Sequence, residues 1–243
     1  MAHKEQQDFI LNALKAHFDL INNANNILEV GSQNISGSVR NYFSSCQSYI
    51  GVDLGKAPGV DLVVPGELFQ LSTGWADISI SAECFEHANT WKEILLNMIR
   101  ITREDGLILV TCAGFGRPTH GTIDTNTYSS PFTSSYYKNL IPHDIESAVV
   151  SGKFFKKYGY EVNCETHDTY FWGIRNSCVD QTEIMSTEEA LARARGQISM
   201  ISIELAQVKY KLMSKTESLP AKILRKTLNQ IRKINQLFGS SIF

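Results

Sequence analysis

Two histidines and a few carboxylates are the residues of this chain best suited to do chemistry. His87 follows the run Ala76-Asp-Ile-Ser-Ile-Ser-Ala82, with Glu83 one helical turn before it, and His120 stands with Arg117 in a stretch of glycines, prolines and hydroxyls. A near-neutral imidazole within hydrogen-bond reach can take a proton from a hydroxyl. Structural roles compete with this: His87 can support its loop, and His120 can be a solvated loop residue. Tyr136, Tyr137 and Lys138 form a second group, since an aromatic ring covers the C–H face of a sugar and a lysine neutralises a phosphate; helix packing is the alternative. Asp53 ends an apolar strand 22 positions after Gly31, where a carboxylate can accept hydrogen bonds from both hydroxyls of a ribose. No set of acidic residues has a recognisable metal-ligand spacing, and the five cysteines lack a C-x-x-C pair. Neither a metal site nor a disulfide framework is expected.

The elements that position these residues begin with the apolar run Ile27 to Val30, which ends at Gly31 and opens into a polar turn before a helical segment around Ser38 to Phe43. That is the first half of a βαβ unit. Gly31 permits a sharp turn, and Gly37 a close approach of ligand or helix start. A pyrophosphate-binding turn wants G-x-G-x-x-G, but the middle glycine is missing from Gly31-Ser-Gln-Asn-Ile-Ser-Gly37, and Glu29 stands two places before the first. A carboxylate there repels a pyrophosphate and suits a cationic ligand.

These residues resemble the first motif of the class I S-adenosylmethionine-dependent methyltransferases. Gly59-Val-Asp-Leu-Val-Val64 is similar to the family's third strand, Ala76 to His87 to its fourth strand and following loop, and Gly106 to Cys112 to its fifth. The stretches Gly116 to Thr122 and Tyr136 to Leu140 resemble a subgroup associated with sugar and other small-molecule modification. The resemblance implies an α/β Rossmann-like fold with a seven-stranded, mostly parallel sheet and helices on both faces. It implies S-adenosyl-L-methionine as cofactor, held by Glu29, Gly31, Ser32, Gly37, Asp53, Leu54, Gly66, Glu67 and Glu83. Relatives carry an acidic residue just after the third strand; here the sequence is Val64-Pro-Gly-Glu67, so either Glu67 or the backbone around Gly66 meets the adenine. The expected reaction is O-methylation of a small acceptor such as a sugar or glycan precursor, with His87 and His120 as catalytic candidates and Arg117, His120, Tyr136, Tyr137 and Lys138 as substrate contacts. Nitrogen or carbon methylation stays open.

The surrounding chain has three parts: a helix within 1–25 carrying the stripe Phe9, Ile10, Leu14, Phe18 and Ile21, the domain 26–178, and a helical extension over 187–243. A helix is expected between Trp91 and Thr102, closed by a tight turn at Arg103 to Gly106, then a long irregular loop from Ala113 to Ile141 that forms much of the substrate pocket. A helix over 144–155 and a closing pair of strands follow. In the extension, Leu191, Ile198, Leu205 and Leu212 are seven apart, with Ala194, Ile201 and Val208 three places after the first three, a coiled-coil spacing that suits a homodimer. From Pro220 onward there are five basic residues and no acid, so the net charge of −2 leaves −7 for the rest. An acidic body argues against a nucleic-acid substrate, while the basic tail suits an anionic partner or membrane surface. A fold-back helical hairpin competes with both uses. The polar N-terminus and the lack of a long apolar run make a cytoplasmic location the expectation. Two other classes compete with the methyltransferase: a nicotinamide-dependent oxidoreductase, disfavoured by Glu29 and the missing glycine, and a non-catalytic scaffold acting through its C-terminal helices.

Overall fold

The computed structural model describes residues 4–17, 19, 23–149 and 151–177. The heptad segment and the basic tail lie outside the described residues, as do Phe18 and Ile21. In order along the chain come α1 (Lys4–Ala16), β1 (Asn26–Val30), β2 (Ser48–Asp53), β3 (Leu62–Val63), β4 (Ala76–Ala82), α2 (Trp91–Ile101), β5 (Thr102–Ala113), α3 (Pro142–Val149), α4 (Ser151–Phe154), β6 (Phe155–Asn163) and β7 (Asp168–Arg175). The strands form one seven-stranded sheet in the order β3-β2-β1-β4-β5-β7-β6. β1 to β5 run parallel, and β7 inserts antiparallel between β5 and β6.

Side-chain alternation along the strands builds two apolar layers. Leu28, Val30, Ile108 and Val110 face α2 and α3, whereas Ile27, Ile78, Ile80, Leu107 and Leu109 face α1. Both faces of the sheet are therefore covered, which explains why its central strands read as continuous apolar runs. α2 buries Trp91, Ile94, Leu95, Met98 and Ile99, the i, i+3, i+4, i+7, i+8 stripe of an amphipathic helix. On the other face Phe9 of α1 stacks on Tyr170 of β7, ring centroids 4.8 Å apart. Among the described residues no helix is long and apolar enough to cross a membrane.

Three local expectations change. The segment after β1 is a five-residue 3-10 turn, Val39–Phe43, and no α-helix; the Ser38 hydroxyl caps it by accepting from the Arg40 amide. β2 begins at Ser48, so too little chain remains after Phe43 for a longer helix. The residues Arg103 to Gly106 do turn, but as an excursion inside β5: Ala76 pairs with Thr102 and Ile78 already with Leu107, with Asp105 at φ 61° taking the bend. The expected third strand shrinks to Leu62–Val63.

Candidate active site

The strand order reverses between β1 and β4, which flank one another although β2 and β3 lie to one side of them and β5 to the other. Open α/β sheets hold ligands in the crevice at the carboxyl end of such a switch point. The segments after β1, β2, β4 and β5 meet there.

After β1, Gly31 turns at φ 79° and its amide donates to Val52 O at 2.9 Å. A Cβ at Gly31 would fall 2.5 Å from Cys84 Cβ, so glycine lets the β1 turn and the β4 loop touch. At the end of β2, Asp53 accepts from the Gln33 amide at 2.9 Å through one oxygen and from the Leu54 amide at 2.7 Å through the other. Each oxygen keeps a lone pair for a ligand hydroxyl. Burial raises the Asp53 pKa, and the two amides pull the other way.

Carboxylates collect around Cys84. Burial pushes its thiol far up, and the nearby charges of Asp53, Glu86 and Glu67 add to the shift. Glu83 follows β4 at φ 54°, a left-handed conformation uncommon outside glycine, held by its amide donating to Thr111 O at 2.8 Å. Asp53, Glu67 and Glu83 thus make the carboxyl edge an acidic bowl, which favours a cationic ligand, and Glu86 lies buried beside them.

Beside the bowl lies a group whose members are distant in sequence. Glu86 is fully buried and His87 is 5% exposed, both in the 3-10 turn Phe85–His87 after β4. The loop after β5 crosses back over this turn: Lys138 N donates to Glu86 O at 2.9 Å and Leu140 N to Ala113 O at 2.8 Å. This seats His120 against His87, ring centroids 5.0 Å apart and edge to face, with Tyr137 4.9 Å from His120 and 5.5 Å from His87. Gly121 permits the approach, since a Cβ there would lie 2.6 Å from His87 Cε1. Burial, then His120, lowers the His87 pKa to about 3, and burial lowers that of His120. Burial, then Glu83, raises Glu86 to about 8, although the Glu86 and Ala113 amides favour its charge. At neutral pH both imidazoles are uncharged and present lone pairs.

The same loop reaches the far side of the crevice. The Phe132 ring lies on Gly55, two residues beyond Asp53, so closely that a Cβ at Gly55 would overlap it at 1.9 Å.

Not every expected residue faces this site. Glu29 is 4% exposed and accepts from Tyr49 OH at 2.7 Å; burial raises its pKa to about 7. Ser32 is buried against Gly51, where a Cβ would fall 2.7 Å from its Oγ. Gly37 donates to the Asn34 side chain at 2.9 Å, and the Gly66 carbonyl is taken by Asn97 Nδ2 at 2.7 Å. The Arg117 guanidinium bonds the Thr166 carbonyl at 2.6 Å and the buried Asp168 at 3.2 Å. Lys138 pairs with Asp144 at 2.9 Å, and Asp144 also raises the Tyr136 pKa after burial, so both residues lie on the α3 side of the loop. Sequence reasoning missed Glu86, Phe132 and Cys84. Only Glu86 had a signal, its place beside His87.

No family model and no curated protein matches the sequence. Solved structures do match in fold. The 1,6-didemethyltoxoflavin-N1-methyltransferase of Burkholderia thailandensis, solved with 1,6-didemethyltoxoflavin and S-adenosylhomocysteine, is 13% identical over 71% of this chain and 79% of that one, with a TM-score of 0.51. The fold is that of the class I methyltransferases. An S-adenosylmethionine-dependent methyltransferase of Archaeoglobus fulgidus is 10% identical over 70% of this chain and 94% of that one, TM-score 0.47. The N-terminal domain of EvdMO1, solved with S-adenosylhomocysteine and D-fucose, is 14% identical over 72% of this chain and 85% of that one, TM-score 0.48. In this methyltransferase fold the acidic bowl stands at the switch point, and the loop between β5 and α3 roofs it.

Proposed function

We propose that the protein is an S-adenosylmethionine-dependent methyltransferase acting on an oxygen of a small acceptor, a sugar or glycan precursor. The observation that carries this reading is the acidic bowl at the switch point. Sulfonium and ammonium charges are the feature that separates this donor from a dinucleotide, and a bowl of carboxylates attracts the one and repels the other. Asp53 offers its remaining lone pairs to the ribose hydroxyls. Glu83 faces the methionine end, Glu67 stands on the adenine side after the third strand, and Gly31 keeps the turn free of side chain. The Burkholderia neighbour in the same fold binds S-adenosylhomocysteine, which supports the same donor here.

Methyl transfer is an in-line displacement in which the acceptor oxygen attacks the methyl carbon while the C–S electron pair returns to sulfur as a neutral thioether. The donor supplies the driving force, so the protein aligns the two partners and excludes water. Handling of the acceptor's proton falls to His87 and His120, which are uncharged, His120 within the loop and His87 in the turn it packs against. Exposed aromatic faces in that loop, Phe115 at 81% and Tyr128 at 84%, together with Tyr137, suit the C–H surface of a sugar. Arg117 and Lys138 shape the pocket through Asp168 and Asp144. The helical extension 187–243 then serves dimerisation through its heptads, Leu191 to Leu212, and contact with an anionic partner or membrane surface through its basic end.

The test is product analysis. Purified protein, donor and a panel of nucleotide sugars and free glycans are incubated, and S-adenosylhomocysteine release is followed with mass spectrometry of the acceptor. A methyl ether on a sugar hydroxyl is expected. Transfer to nitrogen or carbon of a non-sugar acceptor, with none to the panel, contradicts the acceptor assignment.

A further inference from the structure

Glu86, His87 and His120 each offer a ligand atom, and these atoms lie within 4.8 Å of one another. Three features set this group apart from a fortuitous cluster. The Glu86 carboxylate is 0% exposed and meets no side-chain donor within hydrogen-bond reach, with the Glu86 and Ala113 amides favouring its charge. His87, 5% exposed, has an unpartnered Nδ1, and its Nε2 stands 3.9 Å from Glu86 Oε1, too far for a hydrogen bond. His120 is oriented from behind: its Nδ1 lies 3.1 Å from Pro118 O. A carbonyl only accepts, so Nδ1 carries the ring proton, and Nε2 is left as a bare lone pair that is buried without a partner. An imidazole whose far nitrogen donates to a backbone carbonyl while its near nitrogen faces a neighbouring imidazole and a carboxylate is the arrangement of a metal ligand and its outer partner. Buried polar atoms without partners are costly, and one ligand atom from each of the three residues lies within 4.8 Å of the others.

We propose that Glu86, His87 and His120 bind a single divalent first-row transition ion of the Zn2+ type at the acceptor end of the crevice. Two imidazoles and one carboxylate are the donor set such an ion takes, and they leave further coordination positions open. Ligand bonds of about 2.0–2.2 Å hold tetrahedral ligand atoms about 3.4 Å apart, so the group must draw in by roughly an ångström. The loop carrying His120 is attached through hinge-like Gly116 and Gly121, both at positive φ, and can supply that shift. The consequence for catalysis rests on the methyltransferase reading: an acceptor hydroxyl in an open position is polarised, its O–H bond gives the proton to solvent, and the oxygen attacks the methyl carbon while the C–S pair leaves with sulfur. The two histidines then act on the acceptor's proton through the ion they hold, as its ligands.

The test uses the full, tag-free chain stripped with a chelator. Zn2+ affinity and stoichiometry are read by competition with a chromophoric chelator, and S-adenosylhomocysteine affinity is measured by calorimetry on the same stripped protein. One Zn2+ per chain is expected. Glu86→Gln and His120→Ala should each weaken it by more than the roughly 10–100-fold that loss of an outer partner costs. His143→Ala, on the exposed first turn of α3, should bind as wild type does. Since a Glu86 variant can fail to fold, circular dichroism accompanies each protein, and the half-exposed His120 provides the second variant. Zn2+ that fails to bind, or that binds equally to folded His120→Ala, overturns the ion site. Loss of S-adenosylhomocysteine binding with Zn2+ retained sinks the methyltransferase reading instead and leaves the ion site standing.

Discussion

The contact between Gly31 and Cys84 can be tested by a double-mutant cycle. In Gly31→Ala the new residue must hold φ 79°, at a strain cost of roughly 1–2 kcal/mol for a side chain in the left-handed region. Its Cβ would also stand 2.5 Å from Cys84 Cβ and 2.6 Å from Cys84 Sγ, and such overpacking costs about 1–3 kcal/mol. The single variant should therefore lose about 2–5 kcal/mol. Cys84→Gly removes both opposing atoms at a cost of about 0.5–1 kcal/mol for the added backbone freedom. The double variant should keep the strain and recover the overlap, giving a favourable coupling of about 1–3 kcal/mol. Urea unfolding of the four proteins measures it. Additivity within about 0.5 kcal/mol would show that the β1 turn and the β4 loop do not interlock, and the bowl would lose its floor.

Other consequences are equally open to measurement. Glu29 has a folded pKa raised to about 7 from 4.5 by burial, so its contribution to stability is fully present below about pH 4.5 and is lost as pH rises towards 7, by about 3 kcal/mol. Stability profiles without donor should fall more steeply between about pH 4.5 and 7 in wild type than in Glu29→Gln, in which Glu86 and Asp53 still titrate; parallel profiles would refute the assignment. Asn97 donates to Gly66 O at 2.7 Å and Phe69 O at 2.9 Å, so Asn97→Ala should cost about 2–3 kcal/mol in denaturant unfolding and expose the segment between β3 and β4 to limited proteolysis. Unchanged stability would mean those carbonyls find other partners. Gly55→Ala should displace the Phe132 ring and raise proteolytic cleavage within the loop before α3 while the sheet stays folded; a loop as resistant as in wild type would contradict its seat on Gly55.

The sheet was legible because its strands are buried on both faces and read as apolar runs; Ile27 to Val30 and Gly106 to Cys112 are the clearest cases. α2 announced itself by its stripe. The helix expected over Ser38 to Phe43 was not legible as a 3-10 turn, since the apolar spacing suits either and the short distance to Ser48 decided it. At the site, Asp53 and Gly31 could be picked out because their roles depend on local backbone. The Glu86–His87–His120 group could not, because it exists only once Lys138 bonds Glu86 and Leu140 bonds Ala113 across the sheet edge. Arg117 and Lys138 read as free cations in sequence, yet each meets a carboxylate, Asp168 51 positions away and Asp144 six positions away. A pairing over such a separation leaves no periodic trace.

Donor binding bears most directly on the central claim. Calorimetry of S-adenosylhomocysteine and S-adenosylmethionine with wild type and Asp53→Ala, with NAD as control, decides it. Losing two hydrogen bonds to a charged acceptor, each worth about 1.5–3 kcal/mol, should weaken binding by about 100-fold or more in a variant that stays folded by circular dichroism. The account predicts micromolar binding of both sulfur ligands to wild type, that loss in the variant, and no heat from NAD. Failure of wild type to bind either ligand, or equal binding by folded Asp53→Ala, would contradict it.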